Sequence, residues 1–469
     1  MCPDIPVFSL TQTRVPSVIV WVDESGIVHA RDTKTGNIIA ESSDHTSVVQ
    51  AVINYVKKRD AWIHVKGTLK ITKPIDLTLA RGLKVTGDGW LGGTTLLVQT
   101  NDSLVFDMTD AWGVVFSDLM VKVDSGYAPG VVFLLARGQT WKEAPFNQFY
   151  RVWFSSYGSE ADVLLYNYAA EGMLCLYCSF DHAKRAVVVT KNNIDNIQSK
   201  FSTAVTGAWP TSTIYFYRSR WMTTAVNPYA SVELEGVDII AFRDCYWGRD
   251  GGLTHPVKFR WAATASPAGP VIFDGCLWDA AMIAADDAPK ETSITDLVIQ
   301  NGQCWTSTAG TVIDLAKTNV FLRGLVLRNI RFMQKNETVK LGTITGADIE
   351  TLSCDYNYEP NVQITNAVYR SRIRVYEASK LALPATVDPA SEVLTVYLPS
   401  RRWGTATIPA GSTSVTVNHG LAAAPKKVLV TPAGNLGAVW VSSITSTSFT
   451  INCSTAPTAD TTVYWYAEV

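Results

Sequence analysis

One eight-residue phrase recurs along most of this chain, and it leaves few folds open. The phrase is apolar-x-apolar-x-x-small-x-aromatic. It ends at Val121, Phe154, Phe180, Trp221, Trp247, Trp278, Trp305, Phe332 and Tyr356, with "LKVTGDGW" at Trp90 as an earlier member. Successive endings lie 33, 26, 41, 26, 31, 27, 27 and 24 residues apart. Short strand-like units at such a period cannot each bury an apolar face alone, so they must stack. Residues two apart share a face of a strand, and a bend in mid-phrase changes the phase. The first, third, sixth and eighth positions therefore point inward. The expected fold is all-β, a right-handed parallel β-helix whose like positions stack about 4.8 Å apart.

That register makes specific claims. Trp221, Trp247, Trp278 and Trp305 form an interior aromatic ladder rather than an exposed platform. Val152, Cys178, Ser219, Cys245, Cys276, Ile330 and Cys354 form a ladder of small interior side chains. Cys245 and Cys276 are core neighbours that stay reduced, because parallel stacked side chains are poorly placed for a bridge. Gln303 takes the next place in that ladder, and Cys304 turns to the opposite face. Asp118, Asp244 and Asn329 occupy the bend, where short polar side chains bond the nearby backbone. "CLYC", Cys175 to Cys178, sits in a strand-like run without the helix that follows a redox motif.

Composition narrows the partners. Basic and acidic residues number 40 and 42, and no Lys/Arg block occurs, so no nucleic-acid partner is expected. The longest apolar runs, such as "GVVFLLA", are too short to span a membrane, so no membrane insertion is expected. "MCPDIPVFSL" lacks a basic segment followed by an apolar one, so no leader is expected. No cofactor and no metal ligand set is visible.

The two ends differ from the coils. Residues 1–60 read as three short strands, with turns at Glu24–Gly26 and Lys34–Gly36, and a capping helix. Asp44 or Thr46 caps that helix, and its apolar face is Val48, Val49, Val52, Tyr55 and Val56. Residues 61–370 are the parallel β-helix and 371–403 a connector. Residues 404–469 hold about five alternating strands between Gly, Pro and Asn turns, a small C-terminal β-sandwich.

Two resemblances follow. "AWIHVKGTLKITKPIDLTLARGLKVTGDGW" resembles the opening of pectate-lyase-like β-helices, through Gly67, Leu69, Ile71, Pro74 and Ile75, then Leu83, Val85, Gly87 and Gly89. That family includes lyases, hydrolases, tailspikes and adhesins. The lead-in "VIVWVDESGIVHARDTKTGNII" looks like β-helix proteins of hyperthermophilic archaea and their viruses. The last domain, through "IPAGSTSVTVNHGL" and "STSFTI", resembles terminal modules of phage tail fibres and H-type-lectin-like sandwiches, and His419 matches that family's histidine. The resemblance implies a homotrimer on a virion surface or tail, binding a host-cell surface glycan or glycoprotein beside other virion tail proteins, in an archaeal, thermophilic setting.

Candidate site residues are few. The lyases' calcium-binding aspartates have no counterpart here. Glu233 and Glu235 alternate with Val232 and Leu234, so both face outward about 7 Å apart, with Asp238 and Asp250 near. Such a pair suits glycoside hydrolysis, but the pattern is first of all that of a solvated strand face, because paired surface acids are common. Trp209, Trp261, Tyr217, Tyr246 and His419 are candidates for stacking on sugars. Long gaps before Trp221 and Trp278 imply lateral loops over 181–213 and 248–269. Three functions remain open: a receptor-binding spike, a glycan depolymerase of the same architecture, and a cellular adhesin.

Overall fold

The computed structural model describes residues 15–57, 60–89, 93–137, 146–156, 161–191, 213–223, 230–249, 255–263, 266–279, 281–306, 310–333, 337–350, 360–375, 380–394, 401–421 and 424–468. The chain forms two compact units, Met1–Arg372 with Ala382–Ser391, and Ile373–Leu381 with Glu392–Val469.

The first unit is a parallel β-helix. The third phrase position runs through successive coils as Phe149, Cys175, Phe216, Phe242, Phe273, Ile299, Leu327 and Ile349, each the parallel partner of the next. The eighth runs as Phe154, Phe180, Trp221, Trp247, Trp278, Cys304 and Phe332. A second wall stacks Phe133, Leu165, Val187, Val232, Val257, Ile283, Ile313, Val339 and Val362. A third, over the later coils, stacks Ile294, Leu322, Ile344 and Val368. These side chains are buried. The rings stack nearly parallel, with Trp221–Trp247 centroids 4.8 Å apart and Trp247–Trp278 5.3 Å apart.

The bend between the phrase's fourth and sixth positions is a column of left-handed residues. Asp118, Arg151, Tyr177, Arg218, Asp244, Gly275, Asn301 and Asn329 all have φ between 47° and 67°. Asn329 donates to Asn301 Oδ1, and Asn301 donates to Asp274 Oδ1, each at 2.8 Å.

The small-residue ladder is as expected through Cys276, with Val152, Cys178, Ser219, Cys245 and Cys276 all buried. The register then corrects the sequence reading. In the coil after Trp278 the phrase spans Leu297–Cys304, one residue earlier than its aromatic suggests. Gly302, not Gln303, takes the small position. A Cβ there would lie 2.9 Å from the Trp278 ring, so the ring fills the room a side chain would need. Cys304 is fully buried in the aromatic ladder, and Trp305 is 53% exposed. The last copy slips by two residues, because Ile349 pairs with Leu327. Trp90, Cys354 and Tyr356 lie outside the described residues.

The cysteines pack as small hydrophobes. Cys178, Cys245 and Cys276 each donate to the main-chain carbonyl of a neighbouring coil, at 3.3, 3.4 and 3.3 Å. Burial pushes the Cys175 and Cys245 thiols well above their ordinary range, and thiolate is the reactive form. Maleimide at pH 8 is therefore expected to leave Cys245 and Cys276 unmodified until denaturant is added. Labelling of the native protein within minutes, or a mass-mapped 245–276 crosslink, would contradict this packing.

At the N-terminal end, Val18–Val22, Val28–Asp32 and Ile38–Ser42 form an antiparallel sheet, and Val18–Trp21 continues in parallel onto Ile63–Lys66. Asp23 and Asp32 close the two turns by accepting main-chain N–H groups. Helix His45–Val56 is capped by Asp44, whose Oδ1 accepts from Ser47 N. Val52 and Ile53 join Ile63, Leu77, Phe106 and Phe116 around one apolar cavity, so the helix covers the coil's interior. Tyr55 departs from the expected apolar face. It is 41% exposed, and its hydroxyl donates to Asp32 Oδ2. Among the described residues no helix is long and apolar enough to cross a membrane.

The second unit contains two three-stranded antiparallel sheets. Thr461–Glu468 lies between Arg401–Ile408 and Lys427–Pro432. Ser448–Cys453 lies between Ser414–Asn418 and Val439–Ser442. Ile408, Leu436, Phe449, Ile451, Val463 and Trp465 pack in its core.

Candidate functional site

A rigid core turns alternate side chains outward, so the outer surface of the coils is where chemistry can sit. The two glutamates illustrate how that surface differs from expectation. Glu233 and Glu235 do lie on one strand, Val232–Glu235, but they are not solvated. Glu233 is 4% exposed and Glu235 is fully buried. Glu233 Oε2 accepts from Arg260 Nη1 at 2.5 Å and from Arg185 Nη1 at 3.2 Å. Arg185 also reaches Asp162 at 2.9 Å, and Glu235 accepts from the Thr190 hydroxyl at 2.8 Å. The partners come from neighbouring coils, brought alongside by the pairing of Arg185–Thr190 with Val232–Glu235. Arg185–Thr190 and Val257–Phe259 are therefore wall strands within stretches that the sequence suggests are loops. Charges this deeply buried survive only when paired.

Asp238 stands nearby in the chain and behaves differently. It is half-buried, and burial pushes its carboxyl up, with Lys191 opposing the shift. Asp250 and Trp209 lie outside the described residues.

The aromatic candidates separate as well. Tyr246 is half-buried, with its hydroxyl 3.4 Å from Asp279 Oδ2. Trp261 is half-buried, its indole N–H donating to Asp286 O at 2.8 Å. His419 is fully buried in the sandwich. Its Nδ1 accepts from Leu421 N, its Nε2 donates to Thr445 O, and its ring stacks on Phe449. It offers no face to a sugar.

Tyr217 belongs to a feature the sequence reading missed. The bend column carries Asp, Gly or Asn in most coils, which suits a left-handed backbone. Three consecutive coils instead place Arg151, Tyr177 and Arg218 there, at φ 51°, 56° and 47°. Bulky residues held in that region cost about 1–2 kcal/mol each. The Arg151 guanidinium lies 4.7 Å from the Tyr150 ring, and Tyr150 meets Tyr177 edge-on at 6.1 Å. Arg218 lies 5.8 Å over Tyr177 and donates to its hydroxyl at 3.0 Å. Tyr217 sits beside Arg218, its ring 6.3 Å from Tyr215. Arg151 pairs with Asp118 and Arg218 with Asp244, the acids at either end of the trio. The result is an exposed ridge of tyrosine and arginine along three coils. Its sequence signal is the large residue at the fifth phrase position, visible once the bend is known to be left-handed.

His255 lies two residues before the wall strand Val257–Phe259. Burial, then the Lys317 and Lys258 charges, outweigh Asp314 and drive its pKa from 6.5 to about 4. Its Nε2 is buried without a hydrogen-bond partner among the described residues. The unfolded chain thus takes up this proton first. Stability is complete above pH 6.5, falls as the pH drops towards 4, and levels below. The loss from this group is expected to approach about 3 kcal/mol. Denaturant titrations at pH 7 and pH 4 check it, and His255→Gln should flatten that part of the profile. An unchanged slope in the variant would contradict the assignment.

Among the described residues, no cluster of three or more His, Cys, Asp or Glu side chains is placed to hold a metal ion. The described residues form a parallel β-helix with an exposed ridge of tyrosine and arginine, and a second unit of two antiparallel sheets. No protein-family model and no curated protein matches the sequence. Solved structures give distant likenesses. The tailspike of Pseudomonas phage LKA1 is 11% identical, over 86% of this chain and 68% of that chain, with a TM-score of 0.35. The tailspike of Acinetobacter baumannii bacteriophage Fri1, a capsular polysaccharide depolymerase, is 10% identical over 90% and 82%, with a TM-score of 0.36. The catalytic domain of a GH87 alpha-1,3-glucanase in complex with nigerose is 10% identical over 74% and 66%, with a TM-score of 0.35.

Proposed function

We propose that this chain is a receptor-binding spike of a virion tail, and that its ridge of Tyr150, Arg151, Tyr177, Tyr217 and Arg218 holds a host-cell surface glycan. The observation that carries this is the strained corner. Three adjacent coils spend backbone energy to present aromatic and guanidinium groups where short residues fit better, and such strain collects at binding sites. Tyrosine faces stack on the C–H faces of sugar rings, and arginine forks bond hydroxyls and carboxylates. Assembly as a homotrimer beside other tail proteins belongs to the same reading. The archaeal, thermophilic setting has no support in the fold.

The test separates strain from function. Arg151→Asn, Tyr177→Asn and Arg218→Asn should leave stability unchanged or raise it, by up to about 1 kcal/mol each. Each should weaken binding to purified host-surface polysaccharide. Full binding by all three variants would remove the ridge from the site.

A second reading, a depolymerase, is favoured by one observation, the raised carboxyl of Asp238. General acid–base catalysis needs a positioned carboxyl; Glu233 is already engaged by two guanidinium groups, whereas Asp238 is half-buried, with burial pushing its carboxyl up. New reducing ends from polysaccharide, lost in Asp238→Asn, would establish cleavage. Binding without new ends leaves the spike reading alone.

A further inference from the structure

The C-terminal sandwich has two outer faces, and they differ. On the sheet built from Ser414–Asn418, Val439–Ser442 and Ser448–Cys453, the outward positions are mainly Ser, Thr and Asn, with Trp440 the exception. On the other sheet the cross-strand register arranges the outward residues in rows. Trp403, Tyr466 and Leu429 form one row. Thr405, Tyr464 and Thr431 form the next. Trp403 is 71% exposed, and Leu429 and Tyr464 are each 54% exposed. On the other side of the Trp403 row lies a charged one, Arg401, Glu468 and Lys427; the adjacent Arg402 alternates to the other face and donates to His419 O at 3.4 Å. Arg401 and Lys427 thus flank one carboxylate on this face, and Glu468 already accepts from the Tyr466 hydroxyl at 2.8 Å.

We infer that this face is a second glycan site and that its ligand is an acidic sugar polymer, one bearing carboxylates. The inference rests on the glycan-recognition reading above and adds a site and a ligand class to it. The charge at the end of the sheet selects an anion. Arg401 and Trp403 are two apart on one strand, so cation and ring project side by side about 7 Å apart. A uronic-acid unit offers the matching order, a carboxylate beside an apolar C–H face, with hydroxyls left for Thr405 and Thr431. Two glycan sites on one chain also raise avidity without any new contact. Exposed apolar patches of this kind mark binding surfaces. A second copy of this chain would meet the same cations with its own, so self-pairing of this face is disfavoured by charge.

The full chain is titrated with oligomers of polygalacturonate, hyaluronan and polysialic acid, and with their neutral methyl esters. At least one acid form should bind tighter than its ester. Trp403→Ala should weaken that binding on the order of ten-fold or more. Arg401→Glu with Lys427→Glu should abolish the preference for acid over ester. Trp440→Ala on the opposite sheet should leave that preference intact. Circular dichroism confirms folding, and light scattering should show an unchanged oligomeric state. Loss of assembly in Trp403→Ala would assign the face to a second copy and overturn the proposal. Acid preference that survives both face variants, or that disappears in Trp440→Ala, overturns it while leaving glycan recognition standing. Binding of host-surface polysaccharide with no response to any of the three acidic polymers does the same. Absence of binding to every glycan, host polysaccharide included, overturns both.

Discussion

Trp278→Ala is expected to remove about 3–5 kcal/mol from the free energy of unfolding. Its side chain is fully buried, stacked 5.3 Å from Trp247 on one side and reaching over Gly302 on the other. Deletion leaves a cavity within a continuous ladder, and the neighbouring rings are fixed by parallel strands, so the site cannot collapse to refill it. Trp305→Ala is the matched control. That ring is 53% exposed, and its loss should shift stability by no more than about 0.5 kcal/mol. Equilibrium denaturation of both variants reads the register directly. Equal losses, or a larger loss at Trp305, would mean the coil is out of step by one residue.

The second large effect is at Glu233. Glu233→Ala leaves Arg185 and Arg260 facing a void where their carboxylate stood, and Arg185 has only 8% of its side chain exposed. Removing one partner of a buried pair costs about 3–5 kcal/mol, most of it the desolvation of the charge left behind. Replacing all three residues together by Leu, Met and Met should recover most of that loss, because no charge is then stranded. Denaturant titration of the single and triple variants separates the two effects. A single variant as stable as the parent would show that water reaches the cluster freely.

These two sites also show where the sequence is a reliable guide and where it is not. The ladder of Trp221, Trp247 and Trp278 is legible because interior positions repeat in kind. A side chain in a solenoid packs on its own counterpart in the next coil, so like faces like and the pattern survives as a written repeat. The bend column at Asp118, Asp244 and Asn329 is legible for a similar reason, since a left-handed backbone selects short residues. The register slips where packing replaces the aromatic: Cys304 fills the place beside Trp278, and the next ring in the chain, Trp305, lies outside. Aromatic identity misleads there because the ladder asks for a buried apolar side chain and not for a ring, and the Trp278 ring already reaches over Gly302 in that coil.

The outer surface obeys a different rule. Strand alternation correctly turns Glu233 and Glu235 to the outside of the wall, yet alternation carries no information about what lies over that face. Arg185 precedes Glu233 by 48 residues, and Arg260 follows it by 27. Only the stacking of coils makes them neighbours. The ridge of Tyr150, Arg151, Tyr177 and Arg218 likewise comes from three separate coils, and its sequence signal, a large residue at the fifth phrase position, shows only once the bend is known to be left-handed. His419 shows the converse. Its place at a strand end is evident from its neighbours, but its burial, with both ring nitrogens engaged, comes from the packing of the second unit. The sequence by itself determined the stacked coils, the capping helix and the terminal sandwich, because each follows from local alternation, bend chemistry and period. The tertiary structure alone decided which outward groups are covered, paired or exposed, because those contacts join residues a coil or more apart in the chain.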